Sequence, residues 1–80
     1  MDREEEILKE INSIFCNELS DDSIKLDFDS SADSVEKWDS INNLIIISSI
    51  EDHYGITFPL EVIFEAKNIG DLVNYIKNHS

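Results

Sequence analysis

Basic side chains are scarce in this chain: six Lys or Arg stand against eighteen Asp or Glu in eighty residues, leaving a formal net charge of −12. Such a surface cannot replace the counterions around a phosphate backbone or an anionic headgroup, so nucleic acid and membrane are disfavoured as partners. Cysteine occurs once, at Cys16. An intrachain disulfide is therefore excluded, no second thiol can start a four-ligand metal cluster, and a reducing, cytoplasmic setting is expected. Apolar runs of membrane-spanning length are missing too, and the opening MDREEEILKE has neither the basic leader nor the apolar stretch of a secretory signal.

What is present is enough for one core. Hydrophobic residues make up 41% of the chain, and a chain of this length hides only about 60% of its unfolded surface on folding. One domain covering residues 1–80 is expected, as a monomer. From Asp2 to Leu19, the residues Ile7, Leu8, Ile11, Ile14 and Phe15 recur at three- and four-residue intervals, as in a helix with one buried stripe. Cys16 lies at the edge of that stripe and reads as small packing material. Ser20 to Lys37 carries six carboxylates among serines and only scattered apolar residues, which reads as a long loop. Loops of that length need internal anchors or a function. Ile24, Leu26, Phe28 and Val35 are the expected anchors, with room for a short helical turn.

Asp39 is placed to cap a second helix opened by Ser40 and Ile41 and stopped by Gly55. At 100° per residue Ile41, Leu44, Ile47, Ile50 and Tyr54 share one arc, which predicts the buried face. Glu51 projects into the same arc, so the stripe must drift, while Ile45 should face outward. The competing reading for Leu44 to Ile47 is a buried strand, but no partner strand is in sight. Pro59 suits a first helical position, and Leu60 to Glu65 reads as a helix of one or two turns. Asn68, with Asp71 three residues on, opens a last helix whose apolar positions are Ile69, Leu72, Val73 and Ile76. The expected class is all-α: a small bundle of three longer helices and one short third helix, with a long loop between the first two.

Catalytic groups are thin on the ground. His79 is one residue from the chain end, and His53 lies about 20 Å along the helix axis from Ser40, too far to act as its base. Asp21, Asp22, Asp27 and Asp29 offer at most loose attraction for hard cations, and no spaced ligand set supports a metal site. Ser40 stands out as a hydroxyl at the start of a helix, beside the cap. A phosphate-containing group attached there would meet first-turn amides and the positive helix end.

The run Trp38-Asp39-Ser40-Ile41, followed by LIIISSIEDHYGITFP and KNIGDLVNYI, resembles the acyl carrier protein family across most of the chain. The resemblance implies that Ser40 is converted by a phosphopantetheinyl transferase, the holo-acyl-carrier synthase, to a phosphodiester of 4'-phosphopantetheine derived from coenzyme A. The arm would end in a thiol carrying acyl groups as thioesters, and apolar space between helices would shelter them. The chain itself would then be no enzyme. Its partners would be acyl-loading, ketosynthase or acyltransferase enzymes of fatty-acid-like, polyketide or specialised lipid or polysaccharide biosynthesis. Partner recognition is assigned to Asp39, Ile41, Ile45, Glu51, Asp52, Leu60, Glu61 and Glu65, with Glu36 near the site and Lys37 a local exception. Ile45 stands where housekeeping fatty-acid carriers usually show a glutamate, and Asn42, Asn43 and Leu60 also depart from their pattern, which points to a specialised pathway. The alternatives are an aminoacyl or peptidyl carrier, such as a D-alanyl carrier protein, and a helical interaction module without an arm. Peptidyl carriers commonly have a histidine where this chain has Asp39.

Overall fold

The computed structural model describes residues 3–31, 35 and 38–79. Among them are four helices and no strand: α1 (Arg3–Leu19), α2 (Ser40–Tyr54), α3 (Leu60–Glu65) and α4 (Ile69–His79). The all-α class, the short third helix and the long first loop are as the sequence predicts. Helix α1 packs against both α2 and α4. Glu10 meets His53 and Glu18 meets Ser49, so α1 and α2 run antiparallel. Lys77 of α4 reaches Glu4 at the opposite end of α1, and that pair is antiparallel as well.

The periodic stripes of α1 and α4 become the core. Ile7, Ile11, Phe15 and Leu19 from α1 meet Ile69, Leu72, Val73 and Ile76 from α4, and Ile46, Ile47 and Ile50 of α2 close the cluster with Trp38 and Phe58. Each fully buried side chain of this size contributes about 1.5–3 kcal/mol relative to exposure. Leu8 and Ile14 lie partly buried beside them, and half-buried Cys16 places its thiol 3.6 Å from the Ile24 carbonyl.

Helix α2 corrects the expected face. Ile41 and Leu44 are 75% and 62% exposed, whereas Ile46, which lay off the predicted arc, is fully buried. Leu44 to Ile47 is apolar in every direction, so periodicity alone cannot choose the inward side. A tertiary contact chooses it. The Trp38 indole packs edge-on against Phe15, with centroids 5.1 Å apart, and donates to Asn43 Oδ1 at 2.7 Å, which turns the 43/46/47/50 face inward. Ile45 faces outward as expected. Glu51, on the drifting edge, is half-buried and accepts the Phe58 amide at 2.7 Å.

The helix ends follow their cap chemistry. Gly55 has φ 66°, and its amide donates to the Glu51 carbonyl at 2.8 Å. Ser20 takes the same left-handed role after α1 at φ 52°, with the Asp21 amide reaching back to the Cys16 carbonyl at 3.0 Å, although no glycine marks the position. Pro59 stands at the N-cap of α3, one residue before the position assigned from sequence. Asn68 Oδ1 accepts the Asp71 amide at 3.0 Å while Asp71 Oδ2 accepts the Lys67 amide at 2.8 Å, a reciprocal cap for α4.

The long loop is held at three places. Asn12, on α1, acts like a strand edge: its Oδ1 accepts the Leu26 amide at 2.6 Å and its Nδ2 donates to the Ile24 carbonyl at 3.1 Å. Ile24, Leu26 and Val35 pack on the core as expected. Phe28 does not: its ring is 36% exposed, and this stretch is anchored by backbone instead. The Phe28 and Ser30 carbonyls accept the Gly70 and Ile69 amides, each at 2.8 Å, satisfying first-turn donors of α4. The Val35 amide donates to the Ser31 carbonyl at 3.0 Å, the spacing of one helical turn, but the residues between lie outside those described.

Two predictions follow from this packing. A Cβ on Gly70 would stand 2.9 Å from the Phe28 carbonyl oxygen. Gly70→Ala is therefore expected to lower the unfolding free energy by about 1–3 kcal/mol in spite of alanine's better helix propensity, read from urea denaturation; an unchanged midpoint would show that the loop yields freely. The Tyr54 hydroxyl is buried and faces Glu10 without a hydrogen bond of good geometry, and burial, then the negative charge of Glu10 and the weak contact with its carboxylate, push its ionisation well above the ordinary tyrosine value. The unfolded chain releases that proton first as pH rises past about 10, so stability falls from there upward. Tyr54→Phe should flatten this alkaline limb in denaturation curves measured across that range and leave neutral stability equal or higher.

Candidate functional site

The site is built around the junction of the long loop with α2. Trp38, 8% exposed, is pinned between Phe15 and Asn43, and it fixes where the chain turns into the helix. Asp39 follows in extended conformation, φ −106° and ψ −175°, and its Oδ1 accepts the Ile41 amide at 3.1 Å and the Asn42 amide at 2.8 Å. Ser40 is the first residue of α2. The expected exposure of its hydroxyl lies outside the described side chains. The first-turn amides expected to meet an attached phosphate are already partly engaged, because Asp39 takes two of them.

Beside this junction a cavity of about 320 Å³ runs between α2, α3 and α4. Trp38, Ile47, Ile63, Ala66 and Leu72 give it apolar walls, and Asp39, Asn43 and Lys67 supply its polar groups. An arm tied at the start of α2 thus has a partly apolar space immediately at hand, and the donor set suits the mixed polar and apolar make-up of a pantetheine chain. The cavity is the feature that sequence reasoning reached only through resemblance.

The residues assigned to partner recognition divide into two groups. Asp39 caps the helix and lines the cavity. Ile41 and Ile45 share an exposed face of α2 with Leu44, at positions i, i+4 and i+3. Leu60, 68% exposed, stands one turn before Phe64, 81% exposed, on α3. Asp52, Glu61 and Glu65 are exposed carboxylates, whereas Glu51 is turned onto the Phe58 amide. Glu36 and Lys37 lie outside the described residues. Sequence reasoning placed Leu44 inside and passed over Phe64. The signal that could have found them is the surplus of apolar residues on α2 and α3 beyond what one buried stripe uses.

Other chemistry does not converge here. His53 Nε2 is 2.8 Å from Glu10 Oε2, a contact between α1 and the end of α2, and His79 stacks on Tyr75 with centroids 4.0 Å apart. Asp21 accepts from Ser23, and Asp27 accepts the Asp29 amide at 2.9 Å, so both serve loop turns. Among the described residues, no group of three or more His, Cys, Asp or Glu side chains is arranged to hold a metal ion.

Comparison with known proteins agrees with the geometry. The family model for the phosphopantetheine attachment site matches residues 9–76. An acyl carrier protein of Lactobacillus acidophilus is 34% identical over 80 aligned positions, covering 95% of each chain. That of Clostridium acetobutylicum is 27% identical over 74 residues, covering 92% of this chain and 96% of its own. Among solved structures, the holo acyl carrier protein from Geobacter metallireducens, determined by NMR in solution, superposes with a TM-score of 0.83 at 37% identity, covering 89% of this chain and 82% of that one. With four helices in this arrangement and the attachment-site family covering most of its length, the chain belongs to the acyl carrier proteins, whose prosthetic group is covalently attached phosphopantetheine.

Proposed function

We propose that Ser40 is the attachment residue and that the chain, a single carrier domain acting as a monomer in the cytoplasm, carries acyl groups between partner enzymes without catalysing their reactions. The observation that carries this reading is the placement of Ser40: it opens α2 directly after the Asp39 cap, with the 320 Å³ cavity beginning beside Asp39. When attached, the group supplies a terminal thiol that holds acyl groups as thioesters. The protein's own part is to present Ser40 on a capped helix, to offer the walls formed by Ile47, Ile63 and Leu72 as shelter, and to give partners a surface to read.

That surface has two components. The net charge of −12 steers the carrier toward basic patches at partner active sites, and the exposed Asp52, Glu61 and Glu65 contribute near α2 and α3. The apolar ridge of Ile41, Leu44 and Ile45, with Leu60 and Phe64 on α3, supplies short-range contact. Exposed Ile45 and Leu60 favour a specialised lipid, polysaccharide or polyketide pathway over primary fatty-acid synthesis. Among the described residues no helix is long and apolar enough to cross a membrane. Mass spectrometry of the protein from its native cell identifies the cargo, and a D-alanyl or peptidyl group there would replace the acyl reading.

Attachment and capping separate cleanly by substitution. With a phosphopantetheinyl transferase and coenzyme A, the wild-type protein is expected to gain one phosphopantetheine by intact mass, and Ser40→Ala to gain none while its unfolding midpoint stays close to wild type. Persistent labelling of Ser40→Ala would overturn the assignment. Asp39→Ala frees the Ile41 and Asn42 amides and is expected to cost about 0.5–2 kcal/mol in chemical denaturation.

A further inference from the structure

The cavity beside Ser40 contains one donor whose orientation is fixed by chemistry. Trp38 Nε1 lies 2.7 Å from Asn43 Oδ1. An indole N–H only donates, so the amide atom facing it is the oxygen, and the ambiguity that attends most asparagines does not arise. The NH₂ group is thereby turned away from the indole. Asn43 is half-buried and lines the cavity, so those two hydrogens are open to an acceptor that enters there. On the same lining, Asp39 Oδ1 accepts the Ile41 and Asn42 amides. Lys67 is the other cationic or donor group on the lining, but it is exposed and its ammonium is not set in one direction.

Position makes this donor matter. Asn43 lies three residues after Ser40, about 4.5 Å along the helix axis, on the neighbouring turn. A group tied to Ser40 that enters the cavity passes it. We infer that Asn43, held by Trp38, is a specificity-determining hydrogen-bond donor for a neutral carbonyl on the tethered group. This rests on Ser40 being the attachment residue. The carbonyl is an amide of the arm, the thioester carbonyl, or a 3-oxo group of the cargo; beyond its thioester carbonyl a saturated acyl chain adds no acceptor.

Asn43→Asp tests this with little change of shape. A carboxylate still accepts from Trp38 Nε1 but presents a second oxygen where the NH₂ stood. Full-length wild type and variant are prepared as apo, holo, butyryl and acetoacetyl forms, each confirmed by intact mass. Solvent exchange of the Asn43 side-chain hydrogens is followed by NMR, and the thermal shift of each form is measured against its own apo protein. In wild type, exchange is expected to slow at least about fivefold in the forms that supply the acceptor. The thermal shift of those forms should vanish in Asn43→Asp. Slowing common to the holo and both acyl forms assigns the acceptor to the arm, slowing in both acyl forms but not in holo assigns it to the thioester carbonyl, and slowing in the acetoacetyl form alone assigns it to the 3-oxo group. Equal exchange in all four forms, or thermal shifts unchanged by the substitution, overturns the inference. A wild-type protein that stays at its apo mass fails earlier, at the attachment step, and removes the reading on which the inference rests.

Discussion

The contact on which the site depends is the wedge made by Trp38. Its ring edge meets Phe15 in the core of α1, and its N–H is committed to Asn43 one turn into α2. Through these two contacts a single loop residue ties the rotation of α2 to the helix on which the bundle is assembled. Had Ile41 and Leu44 filled that space, as their spacing suggests, the start of α2 would be packed shut. Because the indole fills it, those side chains are released to the surface and a cavity remains between Asn43, Ile47 and Leu72. The cavity and the exposed apolar ridge are thus two results of one packing choice.

Electrostatics plays a different part. The Lys77–Glu4 ion pair and the His53–Glu10 contact are well exposed, and surface pairs of that kind contribute about 0–1 kcal/mol each. They cannot offset the mutual repulsion of a chain with twelve excess negative charges; apolar burial must do so. The acidic surface therefore costs stability in the isolated chain. That cost is bearable because the core draws on every long helix and leaves none of them dependent on surface charge.

How much was legible follows from where the information resides. Helix α4 could be read in full because Asn68 and Asp71 form a local cap and its four apolar positions have no rivals on other faces. Gly55 announced its turn for the same reason: the left-handed conformation is a local demand. Helix α2 was legible in extent and not in rotation, because a helix apolar on several sides takes its inward face from distant partners. The anchors of the long loop escaped for a related reason. Asn12 looks like an ordinary polar position on α1, and the Phe28 contribution is a backbone carbonyl, which no side-chain pattern reveals. Ser20, in a conformation usually given to glycine, was equally silent. At the site, Asp39 and Ser40 were readable as a capped helix start, while the cavity and the orientation of Asn43 arise only once three helices meet.

The least secured wall of that cavity is α3. It has six residues, too few to be stable alone, and none of them is fully buried. Val62 and Ile63 pack partway onto the core, and the segment before it is held by the Glu51 carboxylate on the Phe58 amide and by the Tyr75 hydroxyl on the Thr57 carbonyl. Helices α1, α2 and α4, by contrast, share a continuous core, so displacing any of them would expose several fully buried side chains together. A change in cavity volume therefore costs least if α3 moves and the other walls stay. Leu60 and Phe64 lie on that same short helix, facing solvent. The exposed apolar side chains of α3 and the cavity wall supplied by Ile63 are thus carried by the same six residues, the least buried helix of the bundle.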